Sequence, residues 1–333
     1  MNSIGRKRRE LVKAGAVLAG SAALGLPSLA AAQSAASSWP NRPVRVVVPF
    51  GAAGTADILA RIFAEQLSKQ LGQPFVVENR GGAGTTIGAA EVFKSPADGY
   101  TVMVVTPTFS IAQYVYPDLP YQAKDFTPVA LLMTTPLILV VNPKTGFKTV
   151  ADYIKAAKAK PGSISFASAG AGSTPHLAFE LLKTQANIDL LHVPYKGGGE
   201  AVTSVLSGTT DSYFSAPIES GQHVKAGKLT LLGASSLKRT PGLADYPTIS
   251  ESGLPGFEVT HYTSLLVKTG TPPDIIAKLS ENIVKAVQAP DVREKIAQNG
   301  DVPLGTQAEA IELYAKEYER WPKAVKAANV KPG

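Results

Sequence analysis

Two short turns of small residues, each following an apolar strand, have the composition of a site that binds anions. The first turn runs from Gly51 to Thr55 after the apolar segment Val44 to Val48, and the second runs from Ser168 to Thr174. A helical pattern begins after each turn, and the N-terminus of a helix leaves about four backbone N–H groups without partners in the helix. The two turns therefore predict sites for a carboxylate, a phosphate or a sulfate, unless they are only tight connections between strand and helix.

Side chains in and beside the turns extend this prediction. We expect each turn to form one wall of a cleft, with Thr106 and Thr108 at the sides. Asp211 would favour a ligand that also carries an amine or a hydroxyl, Asp57 would order nearby polar groups, and His176 is expected to form a hydrogen-bonded helix cap. The candidate ligand-binding residues are Phe50, Ala53, Gly54, Thr55, Asp57, Thr106, Thr108, Ser168, Ala171, Gly172, Ser173, Thr174, His176 and Asp211.

Catalytic and metal-binding patterns are weak. Ser173 and His176 are the best nucleophile and base for an exported hydrolase, but no G-x-S-x-G motif is present. No nucleotide-binding glycine motif occurs, and the four histidines do not have metal-ligand spacing. We therefore expect no catalytic residue, no metal and no cofactor.

The first 32 residues have the pattern of a cleaved export signal. Basic residues from Arg6 to Lys13 precede an apolar segment, Ala14 to Leu29, and Ala30-Ala31-Ala32 supplies a cleavage site. Arg8-Arg9 resembles a twin-arginine signal, and an ordinary secretory signal that contains two arginines is the alternative. The apolar segment is too short and too rich in Ala and Gly for a membrane anchor.

Charge and cysteine content limit the compartment and the partners. Residues 1–32 contain five basic residues and one acid, so a net charge near +3 of the formal +7 belongs to the rest of the chain. That remainder has no basic tract with interleaved aromatic residues, which argues against nucleic-acid binding. The sequence contains no cysteine, so it has no disulfide and no lipid-modified cysteine. An exported chain of this kind is expected in a bacterial periplasm.

Strand and helix patterns alternate along the chain and predict an α/β protein with parallel sheets. Two long apolar segments, Val129 to Val141 and Tyr262 to Val267, are expected to cross between two domains. The resulting boundaries give one discontinuous domain at residues 40–138 and 257–333 and a second at 139–256. Two such halves with two crossing strands predict a hinged cleft.

The motifs resemble those of the solute-binding proteins of tripartite tricarboxylate transporters, the TctC or Bug family. The resemblance runs from Trp39 to Val330. The matching segments are Pro49-Phe50-Gly51-Ala52-Ala53-Gly54-Thr55-Ala56-Asp57, Glu78-Asn79-Arg80, Gly82-Ala83-Gly84, Ile87-Gly88, Ser95-Pro96-Ala97-Asp98-Gly99-Tyr100, Ser168-Ala169-Gly170-Ala171-Gly172-Ser173-Thr174-Pro175-His176, Val193-Pro194-Tyr195-Lys196-Gly197 and Asp211.

The resemblance implies a two-domain, flytrap-like periplasmic binding protein of type II, and we expect a monomer that binds one ligand. Such a protein holds a small organic acid on the amides of the two turns and delivers it to integral membrane transporter subunits. A ligand sensor for a membrane receptor would use the same cleft and is an alternative. Ala53, Glu200, Tyr262 and Ser264 depart from the family pattern, so no relative's ligand can be transferred directly.

Overall fold

The computed structural model describes residues 38–300, 303 and 305–328. The predicted export signal at residues 1–32 lies outside the described residues. From Arg42 onward the described residues belong to one compact unit. No helix within these described ranges combines the length and the hydropathy needed to cross a membrane.

Strands and helices alternate along the described part of the chain. The strands are β1 (Val44–Val48), β2 (Phe75–Asn79), β3 (Thr101–Val105), β4 (Phe126–Pro136), β5 (Ile138–Val141), β6 (Ser165–Ser168), β7 (Leu191–Pro194), β8 (Ser212–Ser215), β9 (Thr230–Ala234) and β10 (Thr260–Lys268). The helices are α1 (Thr55–Leu71), α2 (Thr86–Lys94), α3 (Pro107–Val115), α4 (Val150–Ala159), α5 (Thr174–Ala186), α6 (Gly198–Ser207), α7 (Pro217–Lys225), α8 (Pro273–Gln288), α9 (Pro290–Ala297) and α10 (Gln307–Ala328).

The strands form two five-stranded sheets. The first sheet has the order β2-β1-β3-β10-β4, and the second has the order β7-β6-β8-β5-β9. In the first sheet β1 pairs in parallel with β2 and β3, whereas β10 is antiparallel to β3 and β4. In the second sheet β6 is parallel to β7 and β8, and β5 is antiparallel to β8 and β9. The α/β fold class is confirmed, but both sheets are mixed rather than parallel.

The chain passes between the sheets at two neighbouring points. Pro136 ends β4 in the first sheet, and β5 begins at Ile138 in the second, so the long apolar segment is divided by one residue, Leu137. Its N–H donates to Ser235 Oγ at 2.9 Å, and Ser235 N–H donates to Leu137 O at 2.8 Å. Ser235 also bonds to Val259, immediately before β10. One buried serine therefore holds both crossings side by side.

Two predicted elements differ from the structure. The segment Tyr262 to Val267 does not cross between sheets, because all of β10 pairs within the first sheet and the crossing comes before it. The helix α3 was not predicted. Its nine residues include β-branched and aromatic types, which favour strands, although Thr106 and Pro107 have the usual types for a helix start.

The sheets are covered by separate apolar clusters, and α10 contacts helices of both. On one side of the first sheet Phe109 packs edge-on against Phe126, with 5.1 Å between the ring centroids. A further buried cluster joins Trp321 and Val325 of α10 to residues of α3 and to Leu177 of α5. Because α3 follows a strand of the first sheet and α5 follows a strand of the second, α10 provides an apolar link between the two layers.

Candidate functional site

The carboxyl ends of strands from both sheets face each other across a cleft. Residues from the first sheet's loops form what we call the first wall, and residues from the second sheet's loops form the second wall. Between them lies a small cavity of about 20 Å³, which has room for about one water molecule. It is lined by Phe50, Gly54, Thr55, Ala56, Thr106, Thr108, Leu137, Ala169, Pro175, Gly198, Tyr213, Ala216, Glu219 and His261.

A large cavity of about 330 Å³ adjoins the small one and shares Phe50 and Ala169 with it. The first wall contributes residues from Gly82 to Thr85, and the second wall contributes Lys196 and Glu200. These two side chains are exposed, and Glu200 accepts a hydrogen bond from the Lys196 N–H at 3.2 Å. The large cavity is therefore the roomier part of the cleft and has a cationic side chain at its edge.

The first turn is held in shape by Asp57. Its carboxylate accepts hydrogen bonds from the Ala53 N–H at 2.9 Å and from Asn79 Nδ2 at 3.0 Å, and it forms an ion pair with Arg61. Burial would raise the pKa of Asp57, but the hydrogen bonds from Arg61, Ala53 and Asn79 outweigh it, and the pKa is lowered. Asp57 therefore positions the turn and does not line either cavity.

Ala53 lies in the left-handed region of backbone space, with a φ of 62°. This conformation explains why glycine is usual at this position in the family that the motifs resemble. We predict that Ala53→Gly raises the free energy of unfolding by about 0.5–1 kcal/mol, because relief of the left-handed conformation outweighs the added chain entropy. Urea denaturation measures this change. The control is Ala52→Gly, at a residue with an ordinary negative φ, which should not stabilise the protein; equal effects of the two variants would contradict the prediction.

Most N–H groups of the second turn are used within the turn itself. Gly170 N–H donates to Ser168 Oγ at 3.2 Å, and Gly172 N–H donates to His176 Nδ1 at 3.0 Å. Within the described part of the chain, the Ala171 N–H has no hydrogen-bond partner, and Ala171 lines the large cavity. The buried hydroxyl of Thr174 also has no partner among these residues. Of these two groups, the Ala171 N–H belongs to a residue that lines the large cavity and is a donor that the second turn leaves for a ligand.

The geometry does not support Ser173 and His176 as a catalytic pair. Ser173 Oγ accepts a hydrogen bond from the His176 backbone N–H, as expected for a helix cap. His176 Nδ1 accepts from Gly172, and its Nε2 lies 3.7 Å from Glu180. The imidazole therefore has no nitrogen directed to the Ser173 hydroxyl, and the hydrolase alternative loses its base.

The structure does not bring Asp211 into the cleft. Asp211 precedes β8, at the end of that strand opposite to Ser215 and the cavity. Its carboxylate accepts hydrogen bonds from Ser165 N–H and Ser165 Oγ, both at 2.7 Å. The prediction that Asp211 favours a ligand with an amine or a hydroxyl is therefore wrong, because the four-residue strand β8 separates Asp211 from the cleft.

The predicted residues divide into three groups. Phe50, Gly54, Thr55, Thr106 and Thr108 line the small cavity, where Thr106 Oγ1 donates to Thr108 Oγ1 at 3.2 Å. Phe50 and Ala171 line the large cavity. The remaining candidates line neither of these two cavities and instead support the turns or lie elsewhere, namely Ala53, Asp57, Ser168, Gly172, Ser173, Thr174, His176 and Asp211.

Glu219 is a site residue that sequence reasoning missed. It lies in the first turn of α7 on the second wall, but its Oε1 accepts hydrogen bonds from Thr55 N–H and Thr55 Oγ1 on the first wall, both at 2.7 Å. Its Oε2 accepts from Ser215 Oγ at 3.1 Å and from Tyr213 at 3.3 Å. Burial raises the pKa of Glu219 despite these hydrogen bonds. An internal carboxylate thus occupies the anion-binding position of the first turn.

His261 is the second missed residue. It lines the small cavity with only 5% of its surface exposed, and its Nδ1 has no hydrogen-bond partner in the described part of the chain. Burial lowers the pKa of His261 to about 4, so the imidazole is neutral at neutral pH. The sequence signal was absent, because His261 is a single histidine in an apolar strand.

Three glycines at the start of α6 bring the two walls into contact. Gly51 N–H on the first wall donates to Lys196 O on the second at 3.1 Å. A Cβ on Gly197 would lie 2.9 Å from Gly51 N, and a Cβ on Gly199 would press against the backbone oxygen of Ala52. We call Gly197, Gly198 and Gly199 the glycine seam. The backbone of the glycine seam can come this close to Gly51 and Ala52 only because its three glycines have no side chains. The two walls therefore meet in a closed arrangement.

Two departures from the family pattern lie outside the cleft lining. Tyr262 is buried in the core of the first sheet, and its hydroxyl lies 3.3 Å from Ser110 Oγ. Ser264 Oγ donates to Ala130 O at 2.8 Å.

No group of three potential metal-ligating side chains is found within the residues that the structure describes.

The fold and site define a binding protein with two α/β layers, in which turns from both layers face one cleft. The chain belongs to the tripartite tricarboxylate transporter family of receptors, TctC, whose model matches residues 59–330. The resemblance carried by the motifs is therefore confirmed. The family and its structural neighbours are binding proteins of transport systems and not enzymes.

Relatives match over nearly the whole chain. The "UPF0065 protein in tcbD-tcbE intergenic region" of Pseudomonas sp. strain P51 is 39% identical over 326 residues, which cover 97% of this chain and 94% of that protein. The structure of R. palustris Rpa4515 with adipate has a TM-score of 0.83 and 34% identity, covering 89% of this chain and 100% of that chain. MatC from Rhodopseudomonas palustris with bound malate has a TM-score of 0.82 and 32% identity, covering 86% and 100%.

Proposed function

We propose that this solute-binding protein is exported to the periplasm and captures a small organic acid in the cleft. It then delivers the acid to membrane subunits of a tripartite tricarboxylate-type transporter. The family description as a transporter receptor supports the delivery step, and the adipate and malate carried by two neighbours support the class of ligand. The pattern of an export signal in residues 1–32 supports the compartment.

One observation carries the choice of an acid. The first turn already holds a carboxylate, because the Thr55 N–H and hydroxyl both donate to Glu219 Oε1 at 2.7 Å. The second turn keeps the Ala171 N–H and the Thr174 hydroxyl without partners among the described residues. The N-terminus of α1 thus binds an anionic group in this fold, and the Ala171 N–H of the second turn offers a donor to an acid in the large cavity.

We further propose that the two layers act as hinged domains, residues 40–138 with 257–333 and residues 139–256, in a monomer. Ser235 would lie at the hinge because both crossings bond to it. The ligand would add contacts to both walls only when they meet, which favours the closed arrangement.

A thermal-shift screen followed by calorimetry tests this proposal. The panel contains dicarboxylates, tricarboxylates, amino acids, aromatic acids and neutral vitamins. A ligand at about 100 times its dissociation constant should add about 2.7 kcal/mol to the free energy of unfolding. We expect an acid to raise the melting temperature. A response to neutral compounds alone would contradict the proposal.

A further inference from the structure

The polar groups of the small cavity are unusual for a site that would hold two carboxylates. Among its described lining residues there is no lysine and no arginine, and the charged group is the carboxylate of Glu219. The lining of the large cavity contains two charged side chains, the cation Lys196 and the acid Glu200. The small cavity therefore presents an acid alone, whereas a lysine is present only in the lining of the large cavity.

Glu219 is surrounded by donors. Thr55 donates twice to Oε1, and Tyr213 and Ser215 donate to Oε2. The Thr55 N–H requires an accepting oxygen, and the three hydroxyl groups of Thr55, Tyr213 and Ser215 can each donate to a carboxylate. A ligand carboxylate entering the small cavity would meet this like charge at close range, whereas a ligand ammonium would be attracted to it.

His261 provides independent evidence for a missing partner in the same cavity. Its Nδ1 is buried and has no hydrogen-bond partner within the described residues. Buried polar atoms are nearly always hydrogen-bonded in native proteins, so an unpaired one on a residue that lines a cavity leaves a hydrogen-bonding position for a water or a ligand. A neutral imidazole nitrogen can accept a hydrogen bond from a ligand N–H or O–H.

We propose that the cleft selects a ligand with a carboxylate at one end and an ammonium at the other, and that Glu219 is its specificity-determining residue. The ammonium end occupies the small cavity against Glu219 and His261. The carboxylate end lies in the large cavity, where Ala171 N–H and Lys196 are available. The inference rests on the proposed function and narrows its ligand to a zwitterion rather than a dicarboxylate.

Matched probes test the proposal by calorimetry on the purified protein. The pairs are succinate with 4-aminobutanoate, glutarate with 5-aminopentanoate, and adipate with 6-aminohexanoate. In each pair one carboxylate is replaced by an aminomethyl group on the same chain. We expect the amino acid of at least one pair to bind at least about tenfold more tightly than its dicarboxylate. In Glu219→Gln that ratio should fall to about threefold or less, or reverse.

Two variants control for charge and folding. Glu281→Gln removes the same charge from the exposed face of α8, outside both cavities, and should leave the ratio unchanged. His261→Gln removes the unpaired nitrogen and should weaken the amino acid more than the dicarboxylate, which tests the proposal even if Glu219→Gln does not fold. A wild-type preference for dicarboxylates, equal binding within every pair, or failure of all six probes while other acids bind would overturn this inference and leave the proposed function intact. Failure of every acid would instead overturn the proposed function.

Discussion

Replacing Gly199 with alanine should lower the affinity for the acid ligand by at least about tenfold without lowering the stability of the fold. A Cβ at this position would press against Ala52 O and lie 3.0 Å from Ala53 Cβ, across the glycine seam. Overpacking of this kind costs about 1–3 kcal/mol, and the walls can avoid it only by moving apart. The cost therefore falls on closure, and calorimetry with the first acid found in the screen measures it.

The melting temperature of Gly199→Ala separates closure from folding. Alanine is a better helix former than glycine, so in the open arrangement the variant should melt at the same or a higher temperature than the wild type. With ligand present, small-angle scattering should show a larger radius of gyration for Gly199→Ala than for the wild type. The matched control is Gly221→Ala in α7, where an added Cβ has no atom within 4 Å. Tight binding by Gly199→Ala would show that the walls need not meet.

Replacing Asp57 with alanine should lower the free energy of unfolding by about 2 kcal/mol and weaken ligand binding at least about tenfold. The substitution removes the acceptor that binds Ala53 N–H and Asn79 Nδ2 and the partner of Arg61. Without it, the first turn loses the contacts that fix the orientation of its N–H groups. Urea denaturation and calorimetry measure the two effects.

The pH dependence of this effect has a definite sign. Since the pKa of Asp57 is lowered in the fold, its contribution is present above the unfolded pKa, near 3.8, and is lost as the pH falls through the folded pKa. The stability difference between wild type and Asp57→Ala should therefore shrink in acid. Asp57→Asn keeps one accepting oxygen and should give an intermediate loss. A pH-independent difference would contradict the ion-pair explanation.

The sequence was most informative for elements with a strong local pattern. The strand Thr101–Val105 and the helix Val150–Ala159 follow the predicted alternation of strand and helix, because a continuous apolar run and an amphipathic repeat are local signals. The direction of β10 could not be predicted, since antiparallel pairing depends on where the chain returns from the second sheet. The helix α3 was missed because its residue types favour a strand.

The site was only partly accessible to the same reasoning. The turns were found because their composition is local, but Glu219 reaches Thr55 across 164 positions of sequence, and nothing near either residue indicates the contact. Asp211 failed for a simpler reason. Its position relative to the site depends on which end of β8 faces the cleft, and Asp211 precedes the strand whereas the cleft lies beyond its other end, at Ser215 and Ala216.

Because α10 lies outside the cleft, the overall affinity for ligands and the preference among ligands can change independently in evolution. Trp321 and Val325, which lie far along the chain from both turns, belong to one buried cluster with Leu177 of α5, and the proposed opening of the cleft would disturb this apolar contact. A change there would alter the balance between open and closed forms and so scale the affinity for every ligand by the same factor. Preference among ligands would stay with Glu219 and His261. Substitutions in the C-terminal helix could therefore adjust the affinity of such a protein to the concentration of its solute, with no change in which ligand the cleft prefers.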